Sequence, residues 1–227
     1  IDVLTVQEAG AERWNLSFEG NSSTNDLTLN SNSTNNILNI GAWEQGLEVA
    51  DRWVRKNPHS HYAWYCVARF SLEAALSRAQ YDYFKKSYDA FEKAISLNHK
   101  DPRYHYWKAN VHNYLARLEG DSKHYQNFLN SMQLACDLDP MNYFYHSIFF
   151  EKVVSLFRDP RYLVKPFPRR LLVDSMVNSL NQYLSLKQFY AKKYLIQLCT
   201  TLTKSEKRDL LGRPNLHPEL RKALELY

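Results

Sequence analysis

From residue 36 onward, apolar residues recur every three or four positions, the spacing of one face of an α-helix. In the first such segment these residues are Ile37, Ile40, Trp43, Leu47, Ala50, Trp53 and Val54. Pro58 ends the segment, because proline disfavours a helical residue before it and cannot continue the backbone ladder. The pattern therefore predicts a helix from about residue 36 to residue 56.

The same periodicity continues to residue 202 and predicts an all-α chain. Two pairs of helices are expected next, over 61–78 with 81–97, and over 103–118 with 124–138. Gly120 lies between the members of the second pair, where a helix end often needs a positive φ angle. Further apolar stripes predict a buried helix near 143–157 and two C-terminal helices, over 171–184 and 189–202.

The ends of successive predicted helices repeat every 41 residues. The three ends are Asn57-Pro58, Asn98-His99 and Asp139-Pro140, and the same offset separates Tyr65 from Tyr106 and Ala68 from Ala109. Self-similarity at a fixed period of this size is the signature of repeated supersecondary units. The sequence therefore predicts a chain of helix hairpins.

The second helix of the hairpin at 61–97 resembles the tetratricopeptide repeat. Phe91 and Ala94 match the large and small packing positions of that motif, His99 replaces its terminal proline, and Trp64 with Ala68 matches its first helix. The resemblance covers residues 36–157 and implies an antiparallel helix-hairpin, tetratricopeptide-like solenoid with additional C-terminal helices. The period departs from the family's 34 residues by about two helical turns, and HEAT-type helix pairs also have periods near 41.

Composition divides the chain into four expected segments. Residues 1–35 form an N-terminal segment, and 14 of the 19 residues from 21 to 39 are Asn, Ser or Thr, which predicts a solvated loop. Residues 36–157 carry the repeats, residues 158–169 form a Pro- and Arg-rich connector, and residues 170–227 are expected to pack on the repeats as helices. The sequence leaves the oligomeric state and the cellular compartment open.

The sequence holds no recognisable catalytic or metal-binding motif. Glycine-rich phosphate loops, the G-x-S-x-G elbow and the H-E-x-x-H zinc motif are all missing from the sequence. Cys66, Cys136 and Cys199 are far apart and odd in number, so we expect buried thiols, without a disulfide or a metal. The sequence thus favours a non-enzymatic protein without a cofactor.

Aromatic residues cluster at the start of each predicted first helix, which suggests a groove that binds a peptide or protein partner. First helices line the concave face of stacked hairpins, and Tyr and Asn suit peptide recognition. The alternative is that most of these rings simply pack between repeats, with Trp64 and Trp107 as the expected core residues. The predicted groove residues are Tyr62, Tyr65, Arg69, Arg103, Tyr106, Asn110 and Asn113.

Charge is distributed unevenly and supports a second hypothesis. Residues 1–149 carry 14 basic and 17 acidic side chains, whereas residues 150–227 carry 15 basic and 7 acidic ones. A basic cluster in the connector would suit RNA, another polyanion or an anionic membrane surface, although a solvated charged face is the usual explanation of such a cluster. Its members are Arg158, Arg161, Lys165, Arg169 and Arg170.

A third hypothesis is an accessory extramembrane domain of a larger protein, such as one that assembles a polysaccharide in the membrane. No window of about 18 apolar residues is present, so the sequence predicts no membrane-spanning segment. This hypothesis depends only on an analogy of fold.

Overall fold

The chain folds into helices and one short β-hairpin. The computed structural model describes residues 17–20, 27–30, 43–78, 80–157, 168–186 and 191–227. Within these ranges, strands β1 (Ser17–Gly20) and β2 (Leu27–Asn30) precede ten helices. The helices are α1 (Trp43–Lys56), α2 (His61–Arg78), α3 (Tyr81–Leu97), α4 (Pro102–Glu119), α5 (Ser122–Leu138), α6 (Tyr143–Phe157), α7 (Arg169–Leu186), α8 (Ala191–Thr201), α9 (Lys204–Leu211) and α10 (Pro218–Leu226).

The predicted fold of antiparallel helix hairpins is confirmed. The chain divides into two compact units, residues 1–111 and 112–227, and the boundary falls inside α4. The predicted start of the first helix, residues 36–42, lies outside the described residues, as does the connector from 158 to 167.

The Asn/Ser/Thr-rich stretch contains a strand where the sequence predicted a loop. β1 and β2 pair antiparallel, with Ser17 opposite Asn30 and Gly20 opposite Leu27. The prediction was therefore wrong for residues 27–30. These residues read Leu-Thr-Leu-Asn, and such alternation of apolar and polar residues is the period of a strand. The remaining residues of the predicted loop are outside the described part of the chain.

In the first unit, α2 and α3 pack closely because small residues lie between them. Ala68 on α2 and Ala94 on α3 are fully buried, as is the ring of Phe91. The hydroxyl of Ser87 on α3 donates a hydrogen bond to the backbone carbonyl of Ala68, at 2.8 Å. On the other side of α2, Gly46 of α1 meets the ring of Phe70. Small residues at these positions allow the helix axes to approach.

In the second unit, two of the C-terminal helices, α7 and α8, pack on the last repeat helix. Phe128 on α5 lies edge-on to Phe149 on α6, with ring centroids 6.2 Å apart. α6 in turn packs on α7 and α8. The hydroxyl of Tyr194 on α8 donates to the carboxylate of Glu151 on α6, at 3.1 Å. Helices α7 and α8 of the basic C-terminal third thus pack against the last repeat helix.

The 41-residue period holds in helix bounds and in side-chain contacts. The starts of α2, α4 and α6 differ by 41 residues, as do those of α3 and α5. His105 and His146, also 41 apart, each place Nε2 against a backbone carbonyl six residues earlier, at 2.9 and 3.1 Å. The turns before α4 and α6 therefore share the same histidine contact, and the predicted repeat is confirmed.

Candidate functional site

The groove residues predicted from the sequence are mostly interior side chains. Tyr62 and Arg103 are half-buried. The other five are buried: Tyr65, Arg69, Tyr106, Asn110 and Asn113. The expectation that these side chains line an open groove is therefore not met for these five. Partner binding by this set of residues stays a prediction.

In the first unit, these residues are buried because neighbouring first helices meet through them. Tyr65 on α2 lies 5.1 Å from Tyr104 on α4, measured between ring centroids. Tyr62 stacks on Tyr65 at 5.7 Å and meets Trp53 of α1 edge-on at 5.9 Å. Ring pairs at these distances add stability beyond the area that they bury. The aromatic cluster thus joins α1, α2 and the start of α4.

Charged and polar groups complete this aromatic cluster. The guanidinium of Arg103 binds both carboxylate oxygens of Asp101, and its Nε lies 2.7 Å from Oδ1. Burial alone would lower the pKa of Arg103, but the hydrogen bond and charge of Asp101 outweigh it and raise that pKa. The hydroxyl of Tyr104 lies 2.6 Å from Nδ1 of His61. Burial raises the pKa of Tyr104 above the ordinary value of a phenol.

Arg69 and Asn110 are also held by contacts within the first unit. The guanidinium of Arg69 lies over the ring of Trp107, and its terminal nitrogen is 3.6 Å from the Glu73 carboxylate. The side-chain amide of Asn110 donates to the carbonyl of Tyr106 at 2.9 Å. These two side chains therefore already act as packing and hydrogen-bonding elements.

Asn113 is a different case, in the second unit. Its side chain is 1% exposed, and neither amide atom has a hydrogen-bond partner in the described part of the chain. Buried amides are almost always paired, so this position is costly unless water reaches it.

The two tryptophans expected in the core are partly exposed. Trp64 and Trp107 are half-buried, whereas Tyr104 and Tyr145 are completely buried. The prediction was wrong because the indole of Trp64 lies at the helix surface, where Nε1 donates to the carbonyl of Pro58 at 2.9 Å. Trp107 instead forms a platform for Arg69.

A groove lies between α1 and α3 in the first unit, with α2 as its floor. Its volume is about 680 Å³. The apolar part is formed by Val54, Trp64, Val67 and Ala90. The charged rim is formed by Asp51, Arg55, Asp82, Lys85, Lys86, Asp89 and Lys93. Lys86 of α3 is paired with Asp51 of α1 at 2.7 Å. Sequence reasoning missed this groove, because its walls come from two second helices.

The basic cluster is only partly within the described residues. Arg158, Arg161 and Lys165 lie outside them. Arg169 and Arg170 are both exposed, and Arg169 binds both carboxylate oxygens of Glu206, at 2.6 and 3.1 Å. Both arginines line a cavity of about 570 Å³, together with Glu206, Asp209 and Arg213. The positive charge there is therefore largely balanced by carboxylates.

One group of side chains in the second unit has metal-ligand composition. Ligand atoms of Glu119, Asp121 and His124 lie within 4.8 Å of one another. Each has a structural role already: Asp121 caps α5 by accepting from the Lys123 backbone, and His124 lies 3.1 Å from Glu119 and 3.1 Å from Nδ1 of His112. These contacts account for the group, and we assign no metal to it.

The three cysteines are buried free thiols. Burial raises the pKa of all three, and that of Cys136 reaches about 12. Because the thiolate is the reactive form, none of them has the environment of a catalytic cysteine. Among the described helices, none has the length and apolarity needed to cross a membrane.

Comparison with known proteins gives matches of structure only. No protein-family model and no characterised protein sequence matches the chain. The fold is similar to the crystal structure of MamA, with 10% identity, a TM-score of 0.51 and coverage of 86% of this chain and 95% of that chain. Two tetratricopeptide proteins also match. YrrB has 14% identity and a TM-score of 0.49, over 82% of this chain and 77% of that chain. TTC0263 of Thermus thermophilus has 14% identity and a TM-score of 0.46, over 82% of this chain and 91% of that chain.

The repeat geometry and the likeness to MamA define the class of fold. At 10% identity, the likeness to MamA is a likeness of fold alone. The chain has a tetratricopeptide-like helical-repeat fold, as the motif around Phe91 and Ala94 indicated.

Proposed function

We propose that the chain is a non-enzymatic scaffold that binds a peptide or protein segment in the groove between α1 and α3. The groove itself carries the proposal: it combines a volume of about 680 Å³ with an apolar floor and a charged rim. Such a combination suits a peptide, because apolar contacts give affinity and peripheral charges select the partner. YrrB is described as having an unusual peptide-binding site, a property stated of that protein.

The face formed by α2 and the start of α4 is a less favourable binding surface. A partner would reach Tyr65 or Arg69 only after their ring and cation–π contacts open. Tyr62 and Arg103 are the more accessible members of the predicted set. Binding at the α1–α3 groove needs no such opening, because its rim residues Lys85 and Lys93 are already exposed.

The polyanion hypothesis receives less support from the described residues. Phosphate binding depends on uncompensated Lys and Arg side chains. Arg169 is committed to Glu206, and Arg213 lies 2.5 Å from Asp174. The accessory-domain hypothesis stays a prediction that no contact among the described residues favours.

Site-specific photocrosslinking tests the proposed groove. A photoreactive amino acid is placed at Lys85 or Lys93 on the rim, and at Glu48 of α1 as the control, because Glu48 is exposed outside the groove. We expect one and the same partner to be captured from both rim positions and not from Glu48. Equal capture at Glu48, or different products at the two rim positions, would contradict binding in the groove.

A further inference from the structure

The second unit contains a pocket of different chemistry, between α7 and the turn that joins α9 to α10. Its volume of about 420 Å³ lies within the usual range for small-ligand pockets, about 300–1,000 Å³. Four lining residues fall at positions i, i+3, i+4 and i+7 of α7 and therefore share one helix face. These are Asn178, Asn181, Gln182 and Ser185, and the turn adds Asn215, Leu216 and His217.

Asn181 fixes the pocket by joining its two sides. Its amide nitrogen donates to the carbonyl of Asn215 at 3.3 Å, and its amide oxygen accepts from the backbone N–H of His217 at 3.1 Å. Because both ends of this amide are used, the turn is held against α7 before any ligand arrives. A site that is preorganised in this way loses less entropy on binding.

The other lining groups can both donate and accept hydrogen bonds. Asn178 and Gln182 are exposed, and each amide offers two N–H donors and one oxygen acceptor. The hydroxyl of Ser185 donates to the carbonyl of Asn181 at 2.9 Å and keeps its oxygen lone pairs for a ligand. Nδ1 of His217 accepts from the backbone of Glu219, which leaves the proton of the neutral ring on Nε2 as a further donor.

The composition of the lining restricts the class of ligand. Among the described lining residues there is no formally charged side chain to attract an anion or a cation, and Leu216 is the single aliphatic one. An extended peptide would need sockets for its side chains or a free sheet edge, and these residues supply neither. A ligand with many neutral hydroxyl groups matches closely spaced amides, a hydroxyl and an imidazole N–H.

We propose that this pocket is a binding site for a neutral carbohydrate, with Asn178, Gln182 and His217 as the ligand-contacting residues. The site is independent of the groove between α1 and α3. Carbohydrate bound there would make the protein bifunctional, with a peptide site in one unit and a sugar site in the other.

Nuclear magnetic resonance on the full chain tests this proposal. The ¹⁵N-labelled protein is titrated with methyl glucoside, methyl galactoside, N-acetylglucosamine and maltose, and with N-acetylglycinamide as a neutral amide probe. We expect at least one sugar to shift the side-chain amide signals of Asn178 and Gln182 in a saturable way. Replacing both residues by Ala should weaken that binding about tenfold or more, the loss of two hydrogen bonds.

The control is an amide pair elsewhere in the second unit. Gln126 donates to Asn130 on α5 at 2.9 Å, and replacing both by Ala should leave sugar affinity unchanged. Loss of binding in this control as well would overturn the assigned position. No saturable shift with any sugar, or stronger saturation by N-acetylglycinamide, would overturn the carbohydrate class. None of these results depends on the groove of the first unit.

Discussion

The guanidinium carbon of Arg69 on α2 lies 3.3 Å from the centroid of the Trp107 ring on α4. Arg69 is 5% exposed, so this positive charge is held inside the first unit. A cation over an indole face is stabilised by the ring quadrupole, and more strongly when it is desolvated. The pair explains why Arg69, expected in an open groove, serves as a structural element between two first helices.

Replacing Arg69 should therefore cost stability. We expect Arg69→Ala to lower the free energy of unfolding by about 2 kcal/mol or more, because the stack is lost and Glu73 loses its partner. Arg69→Lys should recover only part of this, since an ammonium does not stack as a planar group. Urea denaturation measures the effect. Arg52→Ala is the control, because the Arg52–Glu48 pair is exposed, and a similar loss there would contradict the account.

Gly46 is expected to be intolerant of even one methyl group. A Cβ atom at this position would lie 2.6 Å from Cζ and 2.7 Å from Cδ1 of Phe70. The ring is buried and cannot move away freely, so the clash should outweigh the gain of about 1 kcal/mol in helix propensity. We expect Gly46→Ala to lower the melting temperature and a second change, Phe70→Leu, to restore part of it.

Gly212 provides the matched comparison for this prediction. A Cβ atom there would approach the backbone oxygen of Asp209 no closer than 3.4 Å, and its φ of −71° suits any residue. Gly212→Ala should therefore be neutral or slightly stabilising. A melting temperature that responds equally to both alanines would show that close approach at Gly46 is not the cause.

Helix bounds were predictable because turn residues mark them clearly. α2 and α3 begin and end at the predicted residues, next to Pro58 and the turn at 98–102. Gly120 has the expected positive φ, of 63°. These turn residues act only on the adjacent helix end. Helix bounds can therefore be predicted without knowing what packs against each helix. The 41-residue period then follows from turns that repeat the same contacts. Asp101 and Asn142, for example, each accept a hydrogen bond from the backbone N–H two residues later, at the start of the next helix.

Burial on the predicted groove face was not predictable from the same pattern. Periodicity identifies the face that carries Tyr62, Tyr65 and Arg69, but it does not show how closely the next first helix approaches that face. The amide face of α7 was missed for a related reason. Asn178 and Gln182 have the pattern of an ordinary solvated helix surface, and the turn that completes the pocket is 34 residues away from Asn181.

The two equivalent histidines should make stability sensitive to mild acid. Burial lowers the pKa of His105 and His146 below the ordinary 6.5, and the hydrogen bonds to backbone carbonyls only partly oppose this. The unfolded chain therefore binds protons first as pH falls, so this stability is complete above 6.5 and is lost as pH falls through the lower folded values. Imidazole resonances titrated by nuclear magnetic resonance should show both pKa values below 6.5.

A substitution at His105 separates the effect of protonation on stability from the effect of the hydrogen bond. His105→Gln keeps an N–H donor and does not titrate, so it should lose less stability than the wild type as pH falls below about 6.5. His59→Gln, at an exposed turn residue, is the control. Imidazole signals that titrate at or above the ordinary pKa would contradict the assigned cause.

Glu206 should contribute stability at neutral pH that disappears in acid. Hydrogen bonds from Arg169 lower its pKa below the ordinary 4.5, burial opposes the shift, and Thr203 adds to it. Because the folded pKa is the lower one, the benefit is present above about 4.5 and is lost as pH falls through the folded value. The free energies of unfolding of the wild type and Glu206→Gln, measured by denaturation, should differ most near neutral pH and become equal in acid. A difference in the free energy of unfolding that does not change with pH, or an equal loss of stability in Asp209→Asn, would contradict this role of Glu206.

The most direct test of the account compares the two candidate binding faces of the first unit. The affinity of the partner captured by crosslinking is measured by calorimetry for a rim variant, Lys85→Glu with Lys93→Glu, and for Tyr62→Ala with Arg103→Ala. The account predicts an affinity loss of about tenfold or more in the rim variant, and little change in the second, with both variants folded by circular dichroism. A loss of affinity only in the Tyr62→Ala, Arg103→Ala variant would contradict binding in the groove. It would place the binding site on the face formed by α2 and the start of α4.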